Sequence, residues 1–460
     1  MFGRKVLTHL ALLAILALGL AACAGGGAGT EPTSAPPVEE PADNTAEQPT
    51  EEPTEETPAE EPPMAEIDCK GAQSGDEVTL LYQWAGVEEE RINAILKPLV
   101  DACGIVLAPE STRDQALLDT RVQAGTPPDI AFWNIPQLDQ YQDQLIPVTD
   151  LGVHADNYSG FWQAIGTFGG NWVGLPVKAD PKTLIWYSPV NFEAFGYTVP
   201  TTWEELDALV EQMVADGNVP WSMGLESGDA TGWTGSDFIQ DILLVTQGPE
   251  YVLSIVDGSV PYNDAGVKAA YEIYGPWATD PAYTVGGADG TLSTGFNDAI
   301  LKVFSDPPEA MMVKQSGFAA GTITDQFPDF VYGTDYDFFG VPDAQGIQGG
   351  SDWMMAFSDE PAVQAIFAYL SSEAGGQKWA EVGFDLTPNN AGVDSYTDPA
   401  QQKKADLLAG ATGFTADIGD SIPGGFGSAE WDAIVGYING EDLDALLDAA
   451  AAVQAEALGG

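Results

Sequence analysis

The chain has 460 residues, enough for two or three hydrophobic cores. Its 70 acidic and 15 basic residues give a formal net charge of −55, which argues against nucleic acid and against anionic ligands as primary partners. The acidity is not confined to one segment: residues 24–66 hold 12 of the acids, and residues 67–460 still carry 58 against 13 basic residues.

In chain order, Arg4 and Lys5 precede an apolar run from Val6 to Leu20 that ends in Leu20-Ala21-Ala22-Cys23. A basic flank, an apolar segment of under about 20 residues and small residues before the cut describe a secretory signal over 1–22, not a membrane span. Cys23 directly after Leu-Ala-Ala resembles the lipobox of bacterial lipoproteins, which implies an acylated cysteine anchoring the chain to the outer face of the cell membrane. An ordinary signal cleaved nearby is the alternative. Residues 24–66 are Gly-rich, then Pro/Glu/Thr-rich, and hold no Lys or Arg. They bury too little apolar surface to offset their ordering entropy, so 23–66 is expected to be an acylated cysteine on a disordered, self-repelling stalk. No later apolar run reaches the length of a membrane span, so the body is expected to be soluble and exported.

With Cys23 set aside, Cys69 and Cys103 remain. An even remainder in an exported chain suggests a disulfide, with two free thiols as the alternative. The two histidines, His9 and His154, lie far from both cysteines, and no metal site or cofactor is expected.

The body opens as strand Val78 to Trp84, helix Val87 to Val100, strand Gly104 to Leu107, helix Asp114 to Ala124 and strand Pro128 to Trp133. This alternation implies a mainly parallel α/β sheet flanked by helices, whose ligands lie beyond the carboxyl ends of the strands. From Gly169 to Trp203 a short apolar run, Trp172 to Val177, is followed by a β-branched and aromatic run, Thr183 to Tyr187. Lys178 and Asp180 therefore fall between two strands, in a crossing segment suited to holding a polar small molecule. Thr201 or Thr202 is a good N-cap for the helix Trp203 to Ala215. A short strand is expected at Trp221 to Leu225, then a Gly-rich loop exposing Trp233, and a helix from Asp237 to Thr246. The stretch from Pro276 to Gly295 reads as loop-rich. Further on, a helix is expected over Phe296 to Phe304, strands at Ala310 to Val313 and Phe338 to Pro342, and helices at Pro361 to Ser371 and Glu373 to Val382. A helix through Trp431 and another from about Asp442 to Ala457 complete the chain, and no fixed-period repeat is present.

Three blocks carry a resemblance to a known family: Arg113-Asp114 through Arg121 to Ala131; Pro176-Val-Lys-Ala-Asp-Pro-Lys-Thr-Leu-Ile-Trp-Tyr-Ser188 with Pro200 to Leu206; and Gly228-Asp-Ala-Thr-Gly-Trp233 with Asp237; a fourth, weaker block is Gly350-Ser-Asp-Trp353 through Phe357-Ser-Asp359. They resemble the bacterial extracellular solute-binding proteins of family 1, the sugar receptors of ABC transporters, and most of all their α-glucoside-binding group. The resemblance spans about residues 76–450. It implies a two-lobed α/β fold joined by crossing segments, a carbohydrate held in the cleft, hinge closure and delivery to the transmembrane subunits of an ABC permease. By analogy the crossings fall near Lys178, Val341 and Thr397, giving one lobe of 67–177 with 341–397 and another of 178–340 with 398–460. A monomer is expected.

Sugar chemistry points to the same residue types. Pyranose rings stack their C–H faces on aromatic side chains, and their hydroxyls pair with carboxylates and planar donors. The candidate stacking residues are Trp84, Trp133, Trp233, Phe318, Trp353 and Trp431, with Trp233 and Trp353 foremost because Gly-rich segments precede them. The candidate hydroxyl partners are Glu88, Arg113, Lys178, Asp180, Asp237 and Asp352, where Arg113 is equally suited to a structural ion pair and Lys178 to pairing with Asp180. Paired carboxylates and aromatics also describe glycosidases, but there is no eightfold βα pattern, no Gly-x-Ser-x-Gly turn, and only His154 remains beyond the signal. Capture without catalysis is the expectation. A structural or adhesive surface protein would show repeats or all-β patterning, and neither appears.

Overall fold

The computed structural model describes residues 67–112 and 114–459. The signal segment, Cys23, the stalk and Arg113 lie outside the described residues.

Strands β1 (Glu77–Tyr82), β2 (Val106–Ser111) and β3 (Ile130–Trp133) pair in parallel with β1 in the middle. The helix Val87–Cys103 joins β1 to β2 and buries Ile92, Ile95, Leu96 and Leu99, one apolar stripe at helical spacing. It stops at Gly104, which takes the left-handed conformation (φ 67°) and donates its N–H to the Val100 carbonyl. Asp114 caps the helix Gln115–Gln123 by accepting from the Ala116 N–H. A disulfide joins Cys69, ahead of β1, to Cys103 at the end of the first crossover helix.

After a two-residue hairpin, β4 (Thr167–Phe168) with β5 (Asn171–Trp172), the chain enters β6 (Leu175–Pro181) and then β7 (Leu184–Tyr187). Lys178 and Asp180 thus lie inside a strand, not between two. Strands β8 (Met312–Lys314) and β9 (Asp337–Gly340) flank β7, and both run antiparallel to it. The expectation of mainly parallel sheets therefore fits β1–β3 but not this second sheet. The reason is directional: β7 leads away from the crossing and β9 leads back to it, so neighbours on those paths must oppose one another. Strand β10 (Ile347–Ala356) then lies between β3 and β6, antiparallel to both, and its first residues pair in parallel with β11 (Phe414–Thr415).

The buried side chains form separate groups. One gathers β1, β3, β6, the second half of β10 and the helix Pro361–Ser371. A second gathers Ile185 and Tyr187 of β7 with the helices Trp203–Ala215, Trp233–Thr246, Ala265–Thr279 and Phe426–Ile438. A third, smaller group packs Leu184 and Trp186 against Ile300 and Phe338. The alternation along β7 sends its two faces to different cores. Strands β6 and β10 form the antiparallel ribbon along which the chain passes from the first core to the others and back.

Thr202 is the cap of the helix Trp203–Ala215, in a reciprocal capping box with Glu205. Two expectations fail nearby. Trp233 opens the helix Trp233–Thr246 and is only half-exposed, and Pro276 lies in the last turns of the helix Ala265–Thr279, where it removes one backbone hydrogen bond without ending the helix. The helix Gly287–Ser293 occupies more of the stretch read as loop. Among the described residues no helix is long and apolar enough to cross a membrane.

Replacing Cys69 and Cys103 together by Ser is expected to lower the unfolding free energy by roughly 3–4 kcal/mol, the loop-closure entropy for a sequence separation of 34. Chemical denaturation measures it; an unchanged midpoint would mean the bond does not contribute.

Candidate ligand-binding cleft

Successive residues of β6 point to opposite faces, so Lys178 and Asp180 share one face and Lys182 follows just beyond the strand. Opposite them in register stand Asp352, paired with Lys178, and Gly350, paired with Asp180. A cavity of about 440 Å³ opens over this part of the ribbon. Its walls are Asn134 to Gln137, immediately after the carboxyl end of β3, and Ala416, Asp417, Asp420 and Ser421, immediately after β11. Beyond the carboxyl end of a strand is where ligands of open α/β sheets bind. Another cavity, of about 480 Å³, is lined by Lys70, His154, Tyr369 and Glu373 on the first body alone, away from the ribbon.

The charges of the cleft are tied together. The Lys178 ammonium lies 3.1 Å from Asp352, 3.3 Å from Asp385 and 3.4 Å from Glu88, and 4.9 Å from the centroid of the Phe384 ring. Burial works against its charge, but Asp352 and Asp385 outweigh it and hold its pKa well above the usual lysine value. Trp84 donates its indole N–H to Asp352 at 3.0 Å. Lys182 reaches Asp237 at 3.1 Å and Asp417 at 3.4 Å, with its ammonium 5.7 Å from the centroid of the Trp233 ring. Asp237 also accepts from Gln348 at 2.7 Å. Burial opposes its ionisation, yet Lys182 and Lys314 hold its carboxyl below the ordinary value. Burial pushes Asp417 up, against the pull of Lys182 and with the push of neighbouring Asp237. Burial, followed by the nearby Asp385 charge, pushes Asp180 up to about 6, against the pull of Lys404 and Lys182.

Of the residues singled out from the sequence, the structure brings Trp84, Glu88, Lys178 and Asp352 into one connected group. Asp180 faces the loop after β8: a Cβ built on Gly317 would come within 2.7 Å of its carboxylate oxygen. The next residue, Phe318, is 39% exposed and forms an aromatic group with Trp233 and Phe296, with ring centroids 5.3–6.4 Å apart. Trp431 packs its stem against Gly232, and its half-buried ring leaves its N–H without a hydrogen-bond partner among the described residues.

Other expected contacts are corrected. Trp353 is 0% exposed, because the Gly-rich stretch before it is strand β10, not a loop. It pairs in register with Trp133, its ring packs on Trp162, and its N–H is satisfied by the Ser351 hydroxyl. Trp133 is equally a core residue, and the Trp84 ring is covered by Tyr82, Phe132 and Phe384. None of the three offers a ring face to a sugar. Asp237, 1% exposed, is committed to Lys182 and Gln348. Lys178 pairs with Glu88, Asp352 and Asp385, not with Asp180.

Sequence reasoning missed Lys182, Asn134, Gln137, Ser351, Asp417 and Asp420 as cleft-lining residues. For Lys182 a signal existed, since it continues the two-residue alternation begun by Lys178 and Asp180. The others depend on which distant segments meet.

A family model for bacterial extracellular solute-binding proteins matches residues 104–409. This chain belongs to that family. The α-glucosides-binding periplasmic protein AglE of Rhizobium meliloti (strain 1021) is 34% identical to this solute-binding protein over 407 residues, covering 83% of this chain and 86% of its own. The osmoprotective compounds-binding protein GgtB of Synechocystis is 33% identical over 393 residues, 81% of this chain and 92% of its own. Among solved structures, the solute receptor AcbH, which has an exclusive preference for β-D-galactopyranose, superposes with a TM-score of 0.71 at 18% identity over 83% of this chain and 99% of its own. The apo-form of RafE from Streptococcus pneumoniae superposes with a TM-score of 0.67 at 16% identity, over 84% and 99%. The two-lobed α/β fold of this solute-binding protein is theirs, with mixed sheets in place of the mainly parallel ones read from the sequence.

Two outcomes follow from the site's geometry. Trp353→Ala is expected to cost roughly 3–5 kcal/mol of stability, as for other fully buried tryptophans; an unchanged denaturation midpoint would show that Trp353 is not a core residue. For Asp180 the folded-state value of about 6 lies above the ordinary 3.8, so the native state holds the proton more tightly than the unfolded chain. Its contribution to stability therefore grows as pH falls through 6 and is lost as pH rises. Asp180→Asn should raise the melting temperature near neutral pH, with the gain fading toward pH 4; a gain that is constant with pH would contradict the assignment.

Proposed function

We propose that this protein is the extracytoplasmic receptor of an ABC importer, which captures an α-glucoside or related oligosaccharide between its lobes and presents it to the transmembrane subunits of a membrane permease. The observation that carries this reading is the composition of the cleft. Lys182 of the cavity wall lies 5.7 Å from the centroid of the Trp233 ring, which with Phe318 stands next to Asp180 at the edge of the cavity; together they offer an apolar face for a sugar ring and a carboxylate for its hydroxyls. The extended likeness to an α-glucosides-binding protein supports the same class of ligand. The lobes close by bending the ribbon of β6 and β10, so affinity reflects the open–closed balance of the free protein as well as its contacts. The act is capture, not bond cleavage. Cys23 carries the lipid that holds the receptor at the membrane, with residues 24–66 as its tether.

A thermal-shift screen of residues 67–460 tests this. Trehalose, maltose, sucrose and maltodextrins are expected to raise the melting temperature without being consumed, and amino acids, peptides and polyamines to leave it unchanged. Consumption of the sugar would make the protein an enzyme, and a shift with a non-sugar alone would overturn the ligand class. Trp233→Ala and Asp180→Ala should each weaken sugar binding by about tenfold or more with the fold intact, as titration calorimetry would record; unchanged affinity in both would sink the cleft assignment. In cells, Cys23→Ala should release the protein from the membrane fraction, and persistent association would rule out the anchor.

A further inference from the structure

Glycine is a poor strand residue: it loses more backbone entropy on folding than any other and gives neighbouring strands nothing to pack on. Strand β10 nevertheless carries two in succession over the cleft, Gly349 and Gly350. The first has a structural cause. A Cβ at Gly349 would come within 2.5 Å of the Asp180 backbone carbonyl and 2.9 Å of the Phe414 ring. The second has none. Gly350 does not have a positive φ, and a Cβ there would meet no atom within 4 Å. Among the described glycines with no positive φ, an added Cβ would meet nothing closer than ordinary van der Waals contact at Gly160, Gly321 and Gly410 in helices, at Gly295 before one, at Gly340 at the end of β9 and at Gly350, and of these Gly350 is the one that lines the cleft.

Its surroundings supply the cause that folding does not. Gly350 lines the 440 Å³ cavity and stands directly opposite Asp180 in the antiparallel register, so a side chain there would project from the same face as the Asp180 carboxylate. Asp352, two residues on, shares that face. A glycine in a strand interior marks a bulge or a close approach to the backbone; the register shift of β10 against β6 lies two residues on, between Asp352 and Trp353, and the open space above Gly350 itself faces the cavity.

We propose that Gly350 is a specificity-determining position of the sugar site, and that its missing side chain is the space in which one ring of the bound oligosaccharide lies flat against the backbone of β10, its edge hydroxyls toward Asp180. The inference rests on the proposed function and adds to it a residue that sets how large a ligand the cleft admits. A single methyl at this position narrows the slot, and a branched side chain fills it.

The test compares wild type, Gly350→Ala and Gly350→Leu by titration calorimetry against maltose and maltodextrins of increasing length, with the melting temperature of each ligand-free protein. Gly350→Ala is expected to weaken the longest bound sugar by about tenfold and the shortest by much less, and Gly350→Leu to weaken all of them by about a hundredfold or more. Both free variants should melt at or above the wild-type temperature, since a side chain in a strand interior with open space around it removes the cost of glycine. If wild type binds sugar and Gly350→Leu binds it equally well, the inference falls and the proposed function stands. If either variant melts well below wild type, packing requires the glycine and the inference likewise falls. If wild type itself binds none of the sugars, the proposed function falls and takes this ligand with it.

Discussion

Three passages of the chain between its cores meet at one carboxylate. Lys182 from the end of β6, Gln348 from the start of β10 and Asp417 from just after β11 converge on Asp237, which the helix Trp233–Thr246 holds 1% exposed. Buried charges are expensive to desolvate, and such a cluster is tolerable only if each member has its partners in place. Here one ammonium serves two carboxylates, an amide serves both as well, and Lys314 lies 3.9 Å from the far oxygen of Asp237. Removing Lys182 would take the ammonium from Asp417 and leave Asp237 only the more distant Lys314. Keeping it fixes how the three passages lie against one another.

The shape of the cleft follows from that arrangement. A chain that leaves one core along β6 and returns along β10 must make an antiparallel pair, and the two-residue period of that pair sorts its side chains. Ala179 falls on the face buried in the first core, while Lys178 and Asp180 fall on the opposite, partly exposed face. Lys178 and Asp180 are thereby set on a strand, not a loop, where backbone pairing on both edges holds them: β10 on one side and the Ala179–Leu386 bridge on the other. Sites built on strands keep their geometry better than sites built on loops.

Local signals in the sequence were read correctly where the cause is local. The Thr202 cap, the helix starts near Asp114 and Asp442 and the opening strand–helix alternation each depend on residues within a few positions. The aromatic assignments failed where the cause is distant. Whether a tryptophan offers its face to a ligand depends on what covers it, and Trp353 is covered by Trp162, nearly two hundred positions away, because β10 inserts between β3 and β6. The Gly-rich segment before it looked like a loop for the same reason: composition reports that glycine is present, not whether a strand partner is waiting. Asp237 shows the converse error, a carboxylate placed near the cleft but consumed by the ion cluster beside it.

The charge balance of the cleft limits what can bind there. Lys178 and Lys182 are each already shared between carboxylates, so neither is a free counter-ion for an anionic ligand. Asp180 differs from the other acids of this face: burial and the Asp385 charge outweigh the pull of Lys404, Lys182 and Lys178 and keep its proton on to about pH 6. A carboxyl titrating there can accept a hydrogen bond from one hydroxyl when ionised and donate to another when protonated, which suits a neutral polyol better than any charged solute. An overall charge of −55 repels anions at long range, while local pairing cancels the lysines that would hold them at short range. On the proposed reading, hydroxyl pairing at Asp180 and ring contact at Trp233 and Phe318 would carry recognition, and both are demanding in shape.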